Sequence, residues 1–203
     1  MTRIYLTRHG ETEWNVEKRM QGQKNSPLTA LGVEQAKALG AHLPGVELSA
    51  IYSSSSPRAL QTAELIRGKR TLDIIPEDDL REINLGSWEG MFYYEIENLY
   101  PEQSCNFWKH PEKYIPLDGE TYEALRKRVS NKIEEIAKKH QGKTILIVAH
   151  GMALKTLYTY FRYQSIRDIT YSPHTKSACL CMVEKENGIW NVMKWNETGH
   201  LVP

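Results

Sequence analysis

The chain has no long apolar run. Its longest, Ile145-Leu146-Ile147-Val148-Ala149, is the length of a buried strand and far short of the ~20 residues a membrane-spanning helix requires. The N-terminal Met1 to Leu6 carries no extended apolar segment and turns polar at Thr7, so no secretory leader is expected. Cysteine is scarce and odd in number: Cys105, Cys179 and Cys181. The last two, at i and i+2 of a strand-like run, share a face but are poorly placed to bridge each other, and no C-x-x-C spacing occurs. A disulfide framework and a zinc site are both disfavoured, and the cytoplasm is the expected compartment. An excess of charge is missing too. With 26 basic and 25 acidic residues the formal net charge is +1, which gives no broad footprint for nucleic acid and leaves only a local anion pocket open. No G-x-x-x-x-G-K-[ST] loop and no G-x-S-x-G elbow is present, which removes the P-loop proteins and the common serine hydrolases.

What is present reads as one globular unit over 1–203, with 40% apolar and 25% charged residues. Strand and helix patterns alternate. Arg3 to Arg8 predicts a buried strand ending at His9-Gly10. Thr29 caps a helix from Ala30 to Leu43 that Pro44-Gly45 stops. A strand over Leu48 to Tyr52 is followed by a helix with Ser56 as cap and Pro57 at its first position. Thr71 to Ile75 predicts a short strand closed by Pro76. Residues 86–119, with Pro101, Pro111 and Pro116, many aromatics and one short helical pattern near Tyr93 to Tyr100, read as an insertion over one end of the sheet. A long helix spans Thr121 to His140. Thr144 to Ala149 is the clearest strand; it ends at His150-Gly151 and leads into a helix from Met152 to Tyr163. Asn187-Gly188 joins Ala178–Glu184 to Ile189–Trp195 as an antiparallel hairpin at the edge. This order predicts an α/β fold, a three-layer α/β/α sandwich whose sheet is mostly parallel with an antiparallel edge.

In such sheets ligands collect beyond the carboxyl ends of the strands. Three segments converge there: Arg8-His9-Gly10, Ser53 to Arg58, and His150-Gly151. Each residue alone has a plainer reading. A histidine after a strand is commonly a structural hydrogen-bonder, Arg58 fits the first turn of a surface helix, and His150 can cap its neighbour. Their convergence favours an anion site.

Arg8-His9-Gly10-Glu11-Thr12-Glu13-Trp14-Asn15 resembles the R-H-G-x-[ST]-x-x-N signature of the histidine phosphatase superfamily, which includes the cofactor-dependent phosphoglycerate mutases. The resemblance runs on through Met20-Gln21-Gly22, Pro27-Leu28-Thr29-x-x-Gly32-x-x-Gln35-Ala36, Ser56-Pro57-Arg58-Ala59-x-Gln61-Thr62-Ala63, Leu80-Arg81-Glu82-Ile83-x-Leu85-Gly86-x-Trp88-Glu89-Gly90 and Val148-Ala149-His150-Gly151. It covers most of the chain in the family's order and is similar above all to the broad-specificity phosphatase branch. It implies a phosphoglycerate-mutase-like fold and a phosphomonoester hydrolase needing no cofactor, acting on a small-molecule substrate, with no nucleic acid or membrane partner.

His9 is then the nucleophile that forms a phosphohistidine, its tautomer fixed by a backbone carbonyl near the turn, and Glu82 the proton donor to the leaving oxygen, with Glu89 a competing acid seven residues on. Arg8 and Arg58 are planar, permanently charged forks suited to phosphate oxygens. His150, Asn15 and Gln21 are further donors, and Gly22 and Gly151 complete the phosphate contacts. His42, His110, His140, His174 and His200 are read as surface or structural residues. Two rivals remain: a phosphoglycerate mutase, and a non-catalytic phospho-ligand binding protein. Between Ile83 and Leu125 there is no arginine, and the only lysines are Lys109 and Lys113, which weighs against a mutase. Phe92, Tyr93, Tyr94, Phe107, Trp108 and Tyr114 instead offer an apolar entrance, or simply pack the insertion onto the sheet.

Overall fold

The computed structural model describes residues 1–43 and 45–201; Pro44, proposed above as a helix stop, lies outside the described residues. In chain order the main elements are β1 (Thr2–Arg8), α1 (Glu13–Val16), α2 (Ala30–His42), β2 (Ala50–Ser54), α3 (Pro57–Arg67), β3 (Ile74–Glu77), α4 (Tyr93–Leu99), α5 (Pro101–Lys109), α6 (Tyr122–Lys139), β4 (Thr144–Ala149), α7 (Gly151–Phe161), β5 (Leu180–Glu186) and β6 (Ile189–Glu197). The strands form one sheet in the order β3-β2-β4-β1-β5-β6. The pairs β3–β2, β2–β4 and β4–β1 are parallel; β1–β5 and β5–β6 are antiparallel. No described helix is long and apolar enough to cross a membrane.

Alternation along the central strands sends side chains to two cores. Ile4, Leu6, Ile145 and Ile147 face α6 and α7, packing on Leu125, Val129, Ile133, Leu154 and Leu157. Ile51, Leu146 and Val148 face α2 and α3, packing on Leu39, Ala59, Ala63 and Ile66. The sheet therefore lies between two helical layers. Trp88, Ile96, Phe107 and Tyr114, from the segment read as an insertion, join the core on the α6 side.

Local chemistry sets most element ends. The Thr29 hydroxyl accepts the Gly32 N–H at the start of α2, and Thr121 accepts Ala124 at the start of α6. Asn187 and Gly188 both have positive φ (49° and 84°), as the two-residue turn between β5 and β6 demands.

Four expectations need correction. Ser56 sits at the cap of α3 but makes no capping bond; its hydroxyl accepts from Ser54 Oγ instead. Pro76 lies within β3, opposite Ser53, because β3 is an edge strand and its unpaired side tolerates the missing N–H. Strand β2 runs two residues later than expected, so it takes in Ser53 and Ser54 as buried strand residues. The proline-rich stretch holds a second helix: Pro101 occupies the first position of α5, where the absent N–H has no partner to lose.

Candidate active site

β1 and β4 end level, with Arg8 opposite Ala149, so the residues that follow them emerge side by side. The His9 N–H donates to Ala149 O (3.0 Å), and the rings of His9 and His150 meet edge to face with centroids 5.2 Å apart. β2 delivers Ser54 to the same edge, and α3 begins there with Arg58 in its first turn. The family's other quoted residues explain themselves as braces. Thr62 Oγ1 accepts the Gly10 N–H, Gln35 Oε1 accepts the Glu11 N–H, and Thr29 Oγ1 donates to Glu11 Oε1. A Cβ on Gly10 would lie 2.4 Å from Gly32 O, so the turn and α2 approach as only glycine permits.

His9 is 3% exposed. Its Nδ1–H donates to Gly10 O at 2.7 Å, which supplies the tautomer-fixing carbonyl and leaves Nε2 with a lone pair. Burial first, then Arg58 and Arg8, push its pKa far below the ordinary imidazole value, against the opposing bond to Gly10. The ring is neutral, as a nucleophile must be. The arginines act as expected, but desolvation is the larger cause.

Arg58 is 1% exposed, and burial brings its pKa down to about 10, Glu82 opposing. Its head donates to Lys24 O (2.6 Å), Gly22 O (2.7 Å) and His150 Nδ1 (3.2 Å). Arg8 donates to Thr175 O at 3.0 Å. The Nε–H groups of both arginines are buried without a partner, which is costly for a charged donor and is what a phosphate oxygen would relieve.

His150 is wholly buried, and burial, Arg58, His9 and Arg8 in that order hold its pKa far below normal. Because Arg58 can only donate, His150 Nδ1 accepts and its Nε2–H donates to Ser54 Oγ (2.7 Å). Both ring nitrogens are engaged, and the side chain orients Arg58. The role of Ser54 as partner of His150 had no signal in the sequence.

Asn15 commits its carbonyl to the Thr12 N–H and hydroxyl, which leaves its amide N–H groups toward the cleft. Gln21 gives one N–H to Thr12 Oγ1 at 2.7 Å, so it braces the loop as well as lining the cleft. Gly22, at φ 52°, presents its carbonyl to Arg58, and a Cβ there would meet the Glu89 carboxylate at 2.3 Å.

The two candidate acids separate cleanly. Glu89 accepts the N–H groups of Gln23, Lys24 and Leu85 and so pins the loop that holds Gly22. Glu82 lines the cleft, with its carboxylate receiving Ile83, Met152 and Ala153 N–H, each at 3.0 Å. It thereby caps α7 across space. Arg128, unmarked in the sequence, holds this segment by donating to the carbonyls of Asp79, Arg81 and Glu82 while paired with Glu120 at 2.7 Å.

The cleft encloses about 690 Å³ of space including its open mouth. Arg8, His9, Arg58, Glu82 and Gly151 line it, together with the adjoining rings of Tyr93, Phe107 and Trp108 and with Lys155, His174 and Thr175. Of the six aromatics offered for the entrance, these three line it. Tyr114 packs in the core, and Phe92 lies under Arg19, whose Cζ is 3.6 Å from the ring centre. His174, read as structural, is a cleft residue. Lys155 was missed: it comes from α7, outside the segment searched for cations, and one helical turn beyond Gly151 would have pointed to it. Among the described residues no three His, Cys, Asp or Glu groups cluster closely enough to hold a metal ion.

The family model of the histidine phosphatase superfamily (branch 1) matches residues 4–198. The chain belongs to that superfamily. A metal-independent phosphoserine phosphatase of Arabidopsis thaliana is 33% identical over 204 residues, covering 99% of this chain and 84% of that protein. A probable phosphoglycerate mutase of Escherichia coli, GpmB, is 37% identical over 163 residues, 77% of this chain and 73% of its own length. Among solved structures, Bacillus stearothermophilus YhfR superposes with a TM-score of 0.97 at 41% identity, covering 100% of both chains.

Proposed function

We propose that this protein is a metal-independent phosphomonoester hydrolase of broad specificity that acts through a phosphohistidine on His9. The observation that carries this reading is the His9 ring itself: neutral, its Nδ1–H held by Gly10 O, and its Nε2 lone pair in a cleft between two arginines with unpartnered Nε–H groups. A non-catalytic phospho-ligand protein has no need of so prepared a nucleophile.

The substrate phosphate is bound by Arg8 and Arg58, which offset its charge against the incoming nucleophile. His9 Nε2 forms a bond to phosphorus as the P–O bond to the leaving group breaks. Glu82, carrying a proton at that stage, gives it to the departing oxygen. Water then attacks the phosphohistidine, its proton returns to Glu82, and phosphate leaves with His9 neutral again. The Arg58–His150–Ser54 chain keeps the guanidinium aimed throughout. Tyr93, Phe107 and Trp108 give the leaving group an apolar wall, which suits varied esters.

The test is release of p-nitrophenolate from p-nitrophenyl phosphate by purified protein after exhaustive EDTA treatment. Wild type retains its activity, and His9→Ala loses at least ~10³-fold while keeping its native circular dichroism. Restoration by magnesium or zinc of activity lost to EDTA, or substantial turnover by His9→Ala, overturns the reading.

A further inference from the structure

Glu82 stands on an irregular stretch of chain. It follows the single 3-10 turn Asp78–Leu80, precedes the one at Gly86–Trp88, and belongs to no described strand or helix. Its carboxylate is held on one side by the N–H groups of Ile83 and, across space, of Met152 and Ala153 at the start of α7. Those bonds place the oxygens only if the backbone behind them is fixed as well. Gln23 Nε2 reaches Glu82 O at 3.3 Å, but that amide comes from another loop. The firmer support must come from elsewhere.

It comes from Arg128, on α6. One edge of its guanidinium is bidentate on Glu120, with Nε 3.0 Å from Oε1 and Nη2 2.7 Å from Oε2. The remaining N–H groups go to main-chain carbonyls: Nη1 to Asp79 O (2.9 Å) and Arg81 O (3.0 Å), and Nη2 to Glu82 O (3.4 Å). All five donors of the fork are thereby used. Both partners are largely buried, with 19% and 14% of their side chains exposed. Glu120 grips the far side of the acid: its N–H donates to Asn84 O (2.7 Å), and its Oε2 accepts the Asn84 N–H (3.3 Å). A Cβ on the neighbouring Gly119 would lie 2.4 Å from Asn84 O, so this approach needs glycine. The pair is neutral as a whole and grips residues 79–84 without adding net charge beside the acid.

We propose that Arg128 is a positioning residue for the proton transfer: paired with Glu120, it holds the backbone of Glu82 so that the carboxyl meets the leaving oxygen of the ester. This rests on the phosphatase reading above, with Glu82 as the proton donor, and names the residue that aims it. Glu82 lines the cleft and Arg128 does not. The phosphate ligands Arg8 and Arg58 are held by Thr175, Lys24, Gly22 and His150, so phosphate binding does not run through Arg128. A catalytic group misplaced by about 1 Å loses up to ~10²-fold, and here the loss falls on protonation of the leaving oxygen alone. A brace that merely stabilised the fold would slow every ester alike.

The test compares kcat/KM on glycerol 3-phosphate, whose departing alkoxide needs the proton, with kcat/KM on p-nitrophenyl phosphate, whose phenolate does not. Arg128→Met removes both the ion pair and the grip. Arg128→Lys keeps a charge opposite Glu120, and with it the fold, but one ammonium cannot span three carbonyls. The alkyl-to-aryl ratio should fall at least ~10-fold in Arg128→Met, and in the same direction by less in Arg128→Lys. Competitive inhibition by inorganic phosphate, which reads the phosphate site alone, should not change. In a Glu82→Gln background no proton is left to aim, so adding Arg128→Met should leave the ratio where Glu82→Gln puts it. The proposal is overturned by an unchanged ratio in Arg128→Met (or in Arg128→Lys, should the first variant not fold), by phosphate inhibition weakened as much as the ratio, or by a further fall in the Glu82→Gln background. If wild type hydrolyses neither ester, the hydrolase reading itself fails. If it hydrolyses both and Glu82→Gln slows them equally, Glu82 is not the donor and the proposal falls with that assignment.

Discussion

Replacing Glu82 by glutamine separates a proton donor from a helix brace, because the structure gives this side chain both positions. Its Oε1 receives Ile83 and Ala153 N–H, and its Oε2 receives Met152 N–H. The amide keeps one acceptor oxygen, which can go on serving Ile83 and Ala153. Its NH2 then faces the Met152 N–H, donor against donor. Losing that bond to a charged acceptor costs about 2 kcal/mol, and for a chain of this size the melting temperature should drop by roughly 4–8 °C. The chemical loss is separate and larger. A general acid contributes roughly 10²–10⁴-fold when the leaving oxygen is an alkoxide, and little when it is a stabilised phenolate. Well below the new melting temperature, kcat/KM should therefore fall at least ~100-fold more on glycerol 3-phosphate than on p-nitrophenyl phosphate. Glu89→Gln is the contrast: it loosens the Gln23–Lys24 loop and should lower both substrates alike. Equal losses on both esters in Glu82→Gln would mean that Glu82 only caps α7.

Two further outcomes follow from the same geometry. His9 and His150 are held neutral, with pKa values depressed below the unfolded value of about 6.5, so the stability this contributes is complete above that pH and is lost as pH falls beneath it, by up to about 1.4 kcal/mol per pH unit for each. Urea midpoints measured from pH 7.5 down to 5 should show this slope, and His150→Gln should flatten it; an unchanged slope refutes the assignment. The protein should also be a poor mutase that prefers aryl esters, because beyond the phosphate floor the cleft offers three aromatics and a single lysine where a bisphosphorylated intermediate needs a second full phosphate site. Conversion of 3- to 2-phosphoglycerate faster than hydrolysis, with bisphosphoglycerate supplied, would contradict this, and no preference for an aryl ester over a small one of matched leaving group would remove its aromatic half.

The strands and their carboxyl ends were legible because burial imposes a pattern that sequence displays directly: Thr144 to Ala149 is apolar throughout, and Asn187-Gly188 announces its turn. His9, Arg8, Arg58, His150 and Glu82 were legible because their motifs are local and ordered. What was not legible depends on pairing across the chain. Ser54 meets His150 from 96 positions away, and Arg128, on α6, holds the backbone of Glu82 from 46 positions away. Proline misled in both directions, since Pro76 is tolerated at an edge and Pro101 begins a helix; each outcome is decided by whether a partner waits for the missing N–H.

The central claim is that phosphorus bonds to His9 during turnover, and trapping that adduct tests it most directly. Wild-type protein mixed with a ³²P-labelled phosphomonoester and quenched within milliseconds should carry label that is labile to acid and stable to alkali. Proteolysis should place it on the peptide containing Arg8-His9-Gly10. No label should form in His9→Ala. Acid-stable label, or label on the peptides of Ser54 or His150, would contradict the account.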